Sequence, residues 1–310
     1  MKIAALAGGV GGAKMADGLA RNLPPGDLTV IVNTADDFDH LGLHISPDLD
    51  TVCYTLGDLA NPRTGWGRRN ETWNALRGVE RLGGPTWFQI GDHDLSTHLE
   101  RTRRLQRGEP LSTIVGEFCA AWGVRSTVLP MTDAQVTTIV HSEQGELAFQ
   151  QYFVQMQCEP RVAGFEFRGV QDAAPAPGVV ESLKQAEGIV ICPSNPWVSI
   201  GPILSVAGLG SAMAKGKTIA VSPIVGGKAI RGPAAKMYAE LGVQPSAAAV
   251  AAQYKEYIAG FVMDRVDHRL EAGIRDMGLR TLVTKTVMRT TEDRRRLGAE
   301  VLDFVQEGMQ

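Results

Sequence analysis

Aromatic residues are few in this chain, 6% of its 310 positions, whereas glycine occupies 35 of them. That balance disfavours an aromatic-rich β-sandwich and suits helices packed closely on a sheet. Cysteine is scarce too. Cys53, Cys119, Cys158 and Cys192 stand far apart in the chain and form no Cys-x-x-Cys pair, which argues against a zinc site or disulfide framework and leaves reduced, buried thiols as the expectation. No apolar run approaches the roughly 18 residues that a bilayer span needs. The N-terminal run Met1–Ala7 is shorter than a signal-peptide core and leads straight into glycines, so it reads as a first strand. A cytoplasmic protein without membrane contact is expected. One-sided charge is absent as well: 31 Lys and Arg face 34 Asp and Glu, a net charge of −3. No basic excess points to nucleic acid, so an anionic ligand has to be held by local groups. Repeats, low-complexity tracts and Pro/Ser-rich linkers are also missing, which favours one continuous domain.

What is present is an alternation of strands and helices. Lys2–Ala7 reads as a buried strand, Ala13–Leu23 as a helix and Leu28–Asn33 as a second strand, a right-handed βαβ unit that opens a parallel sheet. The pattern returns in the second half. Gly188–Cys192 and Lys217–Val225 are apolar strands with a helical stretch, Ile203–Ala214, between them. Phe261–Met263 and Thr281–Thr284 are further strands, and Thr291–Gln306 is an amphipathic helix with a Thr-Thr-Glu-Asp start. The middle differs. Asp48–Leu59, Glu71–Leu82, Ser96–Arg107 and Leu111–Trp122 read as helices, and Thr137–His141 with Leu147–Phe153 as a hairpin across the 142–146 turn. The expected fold class is α/β: a Rossmann-like, doubly wound parallel sheet in a single domain, 1–310, with an insertion of helices and then a β-hairpin at about 45–175.

Residues able to do chemistry collect where strands end. After the first strand comes Gly8-Gly9-Val10-Gly11-Gly12-Ala13-Lys14. Glycines let the backbone approach an anion, and the unpaired amides of the following helix face it with a favourable dipole. The spacing is not that of a P-loop, which needs Gly-Lys-Ser/Thr after a four-residue gap. It matches a dinucleotide fingerprint only loosely, although Asp36 and Asp37 follow the second strand where a ribose-binding acid stands in such folds. A tight turn without a ligand is the alternative. Ser46-Pro47-Asp48 is a strong helix start, with Ser46 as cap and Pro47 in the first turn. Asp50 is not needed for that cap. Asp48 and Asp50 suit a Mg2+ ion held through one or two oxygens, with its other positions left to phosphate. Pro193-Ser194-Asn195-Pro196 follows one strand, and Ser222-Pro223-Ile224-Val225-Gly226-Gly227-Lys228 follows the next. Each alone is a loop; on consecutive parallel strands they point to a shared phosphate or nucleotide pocket. Gly91-Asp92-His93-Asp94 is either a polar site or an Asx-type cap. His93 and His98 lack the i, i+4 spacing of a helical metal pair, and Arg101, Arg103 and Arg104 read as a solvated helix face.

In this order the glycine turn, Asn33-Thr34-Ala35-Asp36-Asp37, SPDLDT at 46–51, GDHD at 91–94, LPMTD at 129–133, PSNP at 193–196 and SPIVGG at 222–227 resemble the 2-phospho-L-lactate transferases. These are the CofD-type enzymes of deazaflavin coenzyme F-420 biosynthesis. The resemblance spans nearly the whole chain, and SPDLDT with PSNP-x-x-SIGPI is its specific part. It implies that a phospholactyl, phosphoenolpyruvyl or phosphoglyceryl group moves from its guanosine diphosphate conjugate to the ribityl hydroxyl of the deazaflavin Fo, releasing GMP. Such a transfer needs charge neutralisation and in-line positioning more than a covalent nucleophile. On this resemblance Asp50 is the expected metal ligand, for Mg2+, and catalytic carboxylate, with Asp48 either assisting or only capping its helix. Gly8, Gly9, Gly11, Gly12, Lys14, Ser194, Asn195, Ser222, Gly226, Gly227 and Lys228 fall to the donor's phosphates and guanosine. Asn33, Thr34, Asp37, Trp66, Asn70 and His93 fall to Fo. His93 departs from the family, whose members often carry Arg or Lys between the two acids of GD-x-D; an imidazole stacks and donates a hydrogen bond but need not be charged at neutral pH. A homodimer is the default expectation. Two rivals share parts of the pattern. A YvcK-type nucleotide-sugar-binding regulator keeps the glycine turn but has no use for an Fo pocket, and an NAD(P) dehydrogenase rests on the glycine turn and the acids after it alone.

Overall fold

The sequence Ile-Ala-Ala-Leu-Ala is small and apolar at every position, so it can be covered on both faces, and β1 (Ile3–Ala7) is buried throughout. In the computed structural model, which describes residues 1–308, the remaining strands are β2 (Leu28–Val32), β3 (Phe38–His40), β4 (Leu43–Ile45), β5 (Thr127–Pro130), β6 (Thr137–Ser142), β7 (Gly145–Ala148), β8 (Val162–Arg168), β9 (Gly188–Ile191), β10 (Thr218–Val221), β11 (Ile224–Val225), β12 (Lys228–Ala229), β13 (Gly260–Asp264) and β14 (Arg280–Thr284). Seven of them form a parallel sheet in the order β14-β13-β10-β9-β1-β2-β5. From β1 the chain builds outward through β2 to β5, then returns to β9 on the other side and builds outward again. The order therefore reverses between β1 and β9, the crevice where open α/β sheets bind ligands.

Alternate residues of β1 serve opposite layers, as a period of two demands. Ala4 and Leu6 join Ile31, Ile189, Ile191 and Phe261 in one core, while Ala5 and Ala7 join Val30, Val32, Met15 and Leu19 in the other. The second layer holds α1 (Gly9–Ala20) and α2 (Pro47–Leu56); α3 (Asn74–Arg81), which has no buried residue, lies outside it, while α4 (Asp92–Leu105) and α5 (Leu111–Ala121) pack on it through Leu105 and through Leu111, Val115 and Cys119. Among the described residues no helix is long and apolar enough to cross a membrane.

Helix α1 crosses the C-terminal helix Thr291–Glu307 with backbone against backbone. A Cβ built on Gly18 stands 2.2 Å from the Arg294 carbonyl oxygen, and one on Gly298 stands 2.2 Å from that of Gly18. Gly116, by contrast, is exposed in α5 with nothing within 4 Å of such a Cβ. The same substitution is thus expected to act with opposite sign. Gly18→Ala prises the helices apart and destabilises by about 2 kcal/mol; Gly116→Ala stabilises by up to about 1 kcal/mol, since a helix interior prefers alanine. Urea midpoints of the two variants check this, and equal shifts would reject the crossing.

Several features differ from the sequence reading. The insertion is not continuous, because Thr127–Pro130 returns to the central sheet as its edge strand β5; the run is short and ends in proline, which an edge tolerates because a ladder bond can be missing there. The hairpin's second arm stops at Ala148, Gln151–Gln155 becomes a π-helix, and Val162–Arg168 adds a third antiparallel strand beside β6. The 203–214 helix is broken into Gly201–Ser205 and Leu209–Ala212, with Gly208 at φ +83° between them. The strand expected to reach Val225 leaves the sheet after Val221, and Ile224–Val225 pairs antiparallel with Lys228–Ala229. Cys53 and Cys119, remote in sequence, lie with their thiols 3.5 Å apart in the core.

Candidate active site

The loops that leave β1 and β9 cross at the reversal point. The Gly8 amide donates to Ser194 Oγ at 3.0 Å, and the Ser194 hydroxyl donates back to the Gly8 carbonyl at 2.9 Å. A Cβ on Gly11 would sit 2.3 Å from the Pro193 carbonyl oxygen, and one on Gly12 2.5 Å from Ser194 Oγ. The neighbouring loop therefore requires glycine here before any ligand does. Gly9, at φ +59°, turns the chain into α1, whose first-turn amides at Val10 and Gly11 have no acceptor within the helix and carry its positive dipole end.

Helix α2 brings a carboxylate to the same point. Asp48 Oδ1 accepts from the Gly9 amide at 2.7 Å, and Oδ2 from Asn33 Nδ2 at 3.0 Å. Asn33 is itself locked, donating to the Val198 carbonyl and accepting from the Ala35 amide. Burial pushes the Asp48 carboxyl up to about 6 against the pull of these two hydrogen bonds. Asp36 lies close by, pushed well above the usual carboxylate range by burial and by the charge of Asp48. Asp37 is raised by burial as well. Ser46 does not cap α2 with its side chain as expected; its hydroxyl donates to Asp37 Oδ2 at 2.7 Å, with His44 Nε2 3.4 Å from the same oxygen. Oδ1 of Asp36 and Oδ1 of Asp37 are buried and have no hydrogen-bond partner. Acid outweighs base in this corner.

Asp50, expected at the phosphates, faces α4 instead. Both terminal nitrogens of Arg101 donate to it, Nη1 to Oδ2 at 3.1 Å and Nη2 to Oδ1. Arg101 is 1% exposed, and Arg104 is buried too, which corrects their reading as solvated residues; Arg104 pairs with Glu109 and Glu117, and only Arg103 of the three is exposed, pairing with Glu100. Asp94, His98 and Arg101 share one stripe of α4 at i, i+4 and i+7 spacing, a signal present in the sequence. His98 Nε2 lies 3.3 Å from Asp94 Oδ2, and the Tyr54 hydroxyl donates to Asp94 Oδ1 at 2.7 Å. Asp50, Asp94 and His98 have the separations of a metal-ligand group, but the guanidinium already supplies the positive charge there. The pair consumes the oxygens that Asp50 was expected to offer a metal.

The other expected residues divide. Lys14 donates to the Met288 carbonyl at 2.9 Å, and burial, then Arg294 and Arg231, lowers its pKa; it does not reach back to the glycine turn. Asn195 caps Pro196–Ile200 through the Trp197 amide at 3.0 Å. The Ser222 hydroxyl closes its own turn on Ile224, and the Gly226 amide is taken by Asp267 at 3.0 Å. Gly227 and Lys228 are exposed. On the acceptor side Thr34 Oγ1 is buried without a partner, while Trp66, Asn70 and His93 are exposed. His93 belongs to a reciprocal cap: Glu71 accepts from the His93 and Asp94 amides, and Asp92 from those of Asn74 and Ala75. The loop holding Trp66 lies against the start of α1, since a Cβ on Gly65 would be 2.8 Å from Val10 Cγ1, and Arg231 donates to the Thr64 carbonyl. An aromatic group missed in the sequence stands beside Asp37: Phe38 and Phe88 edge-to-face at 4.9 Å, and His40 and Trp87 at 5.0 Å.

Residues 3–303 match the family described as 2-phospho-L-lactate transferase CofD. A phosphoenolpyruvate transferase of Streptomyces griseus is 40% identical over 315 aligned positions that cover 99% of each chain. A 2-phospho-L-lactate transferase of Methanosarcina mazei is 36% identical, covering 95% of this chain and 97% of that one. Among solved structures, a member of the UPF0052 family from Bacillus halodurans superposes with a TM-score of 0.62 over 97% of this chain and 98% of that one, at 14% identity, a likeness of fold. With the family model matched over residues 3–303 and relatives of 36–40% identity matched over nearly their full length, the chain belongs to the 2-phospho-L-lactate transferase CofD family.

Proposed function

We propose that the chain moves a phospho-acid group from its guanosine diphosphate conjugate to the ribityl hydroxyl of the deazaflavin Fo, releasing GMP in coenzyme F-420 biosynthesis. The observation that carries this reading is Asp48, a buried carboxylate raised to about 6 and held at the N-terminus of α1 in the sheet's crevice. A base of that strength accepts a proton near neutral pH. In the step proposed, the hydroxyl loses its proton to Asp48 and its oxygen bonds to the phosphorus bearing the acid. The bond from that phosphorus to the GMP oxygen breaks, and GMP leaves with the electron pair. The α1 amides of Val10 and Gly11 steady the phosphate oxygens, with Ser194 fixing the turn that presents them. The aromatic group of Phe38, Trp87 and Phe88 offers flat apolar surface to a deazaflavin ring next to Asp37.

Magnesium fits this site. Asp36 and Asp37 have buried oxygens with nothing bonded to them, and these would hold the ion. When bound it would neutralise phosphate charge.

Relatives of 38–40% identity that span 99% of the chain carry the phosphoenolpyruvate name, so the enolpyruvyl conjugate is the first donor to test. Purified protein with Mg2+, Fo and that donor is expected to release GMP in step with a new Fo phosphodiester, resolved by chromatography. No GMP from the enolpyruvyl, lactyl or glyceryl donor would sink the proposal.

A further inference from the structure

We propose that Arg101 is a positioning residue for this transfer: its two-pronged hold on Asp50 fixes the first turn of α2 and so sets Asp48 against Gly9 and Asn33. The inference rests on the transferase reading above. Arg101 is buried in the C-terminal half of α4 and is itself out of a ligand's reach. Besides Asp50, its Nη1 donates to the His44 carbonyl at 3.4 Å. One guanidinium thereby fastens both ends of the segment 44–50, which carries Ser46 and Asp48. The fastening point is firm, because Glu71 caps the first turn of α4 and Tyr54, one turn further along α2, reaches Asp94. A lysine ammonium is a point charge. Two parallel N–H bonds fix direction as well as distance, which an ammonium does not. A reacting group displaced by about 1 Å loses on the order of 100-fold in rate.

The test uses the full chain. Arg101→Lys is expected to lower kcat by about 30–100-fold while KM for donor and Fo stays within about 2-fold, the pattern of a misplaced reacting group. In the same variant, exchange of the Gly9 amide hydrogen, protected by Asp48 in the parent, rises by on the order of tenfold while β1 stays protected. This readout needs no turnover. Arg101→Leu with Asp50→Leu removes the buried pair together and leaves no orphaned charge, so the fold survives; kcat stays low. Full turnover in that double variant, or unchanged kcat and Gly9 exchange in Arg101→Lys, overturns the inference, because balancing the charge of Asp50 would then be the whole role of Arg101. A parent protein that makes no product while Gly9 exchange responds as expected overturns the transferase reading and leaves the clamp standing.

Discussion

Asp48→Asn is expected to lower kcat by about 1,000-fold, within the range for loss of a general base, with Fo binding nearly unchanged. The parent should show turnover rising with pH as the carboxyl that burial has raised loses its proton, with the midpoint drawn below about 6 by Mg2+ held at Asp36 and Asp37, since a divalent ion favours the ionised form. The substitution removes that limb. The same group makes a stability prediction of opposite sense. Its folded-state pKa lies above the usual value near 3.9, so the folded state favours the protonated form. The stabilisation this gives is complete below about pH 4 and is lost as pH rises through about 6. A shift of this size corresponds to about 3 kcal/mol. Between those limits Asp48→Asn should therefore gain stability relative to the parent. A constant offset opposes the gain: Asn33 cannot turn round, because its Oδ1 holds the Ala35 amide, so the new amide faces a donor at about 1 kcal/mol. The readout is the change between urea unfolding at about pH 4.5 and about pH 7.5, not either value alone. Retained turnover, or a pH-independent stability difference, rules Asp48 out as the titrating base. Asp50→Ala is a different case. It leaves Arg101 buried without its partner, at about 3–5 kcal/mol, so its loss of activity would come with a loss of fold.

The contrast between these two aspartates shows what the sequence could and could not tell. The parallel sheet was legible because its strands are continuous apolar runs punctuated by glycine and proline, and the crossing at Gly8 and Ser194 follows from two loops on strands that turn out adjacent. Which of Asp48 and Asp50 faces the crevice was not legible. Two positions along a helix rotate a side chain by about 200°, so one of the pair had to point away, but the choice depends on Arg101, 51 residues downstream of Asp50. An arginine among other arginines and a glutamate reads as surface. Its burial shows only in the stripe with Asp94 and His98, and that stripe has meaning once α4 is known to pack against α2. Strand β5 was missed for a related reason: four residues ending in proline form a strand only when a neighbour's edge is waiting, here β2. Lys14 illustrates the limit of motif spacing. The motif placed it near phosphate; the helix, starting at Gly9 and not at Ala13, carries it round to the Met288 carbonyl.

Mg2+ is expected to raise the unfolding temperature of the parent protein, and chelation to abolish turnover. Asp36 and Asp48 are buried and Asp37 beside them is half-buried, and the guanidinium of Arg101 is already committed to Asp50. His44 answers only part of this charge. Burial holds its charged form back, yet Asp37 beside it raises its pKa overall. Burial and the charge of Asp48 keep the Asp36 carboxyl protonated beyond the usual range; a divalent ion favours the ionised form and draws that pKa down. The ion therefore competes with protons, and its stabilising effect must grow as pH rises. At about 100 times its dissociation constant it contributes about 2.7 kcal/mol, a thermal shift expected to be clear at about pH 8 and to fade towards pH 5. Asp36→Asn removes one of the two unpartnered oxygens together with the charge and should abolish most of the shift, whereas Asp133→Asn, on the exposed pairing with Ser112, should keep it. An equal shift in both variants, or one that does not vary with pH, would show that the ion binds elsewhere.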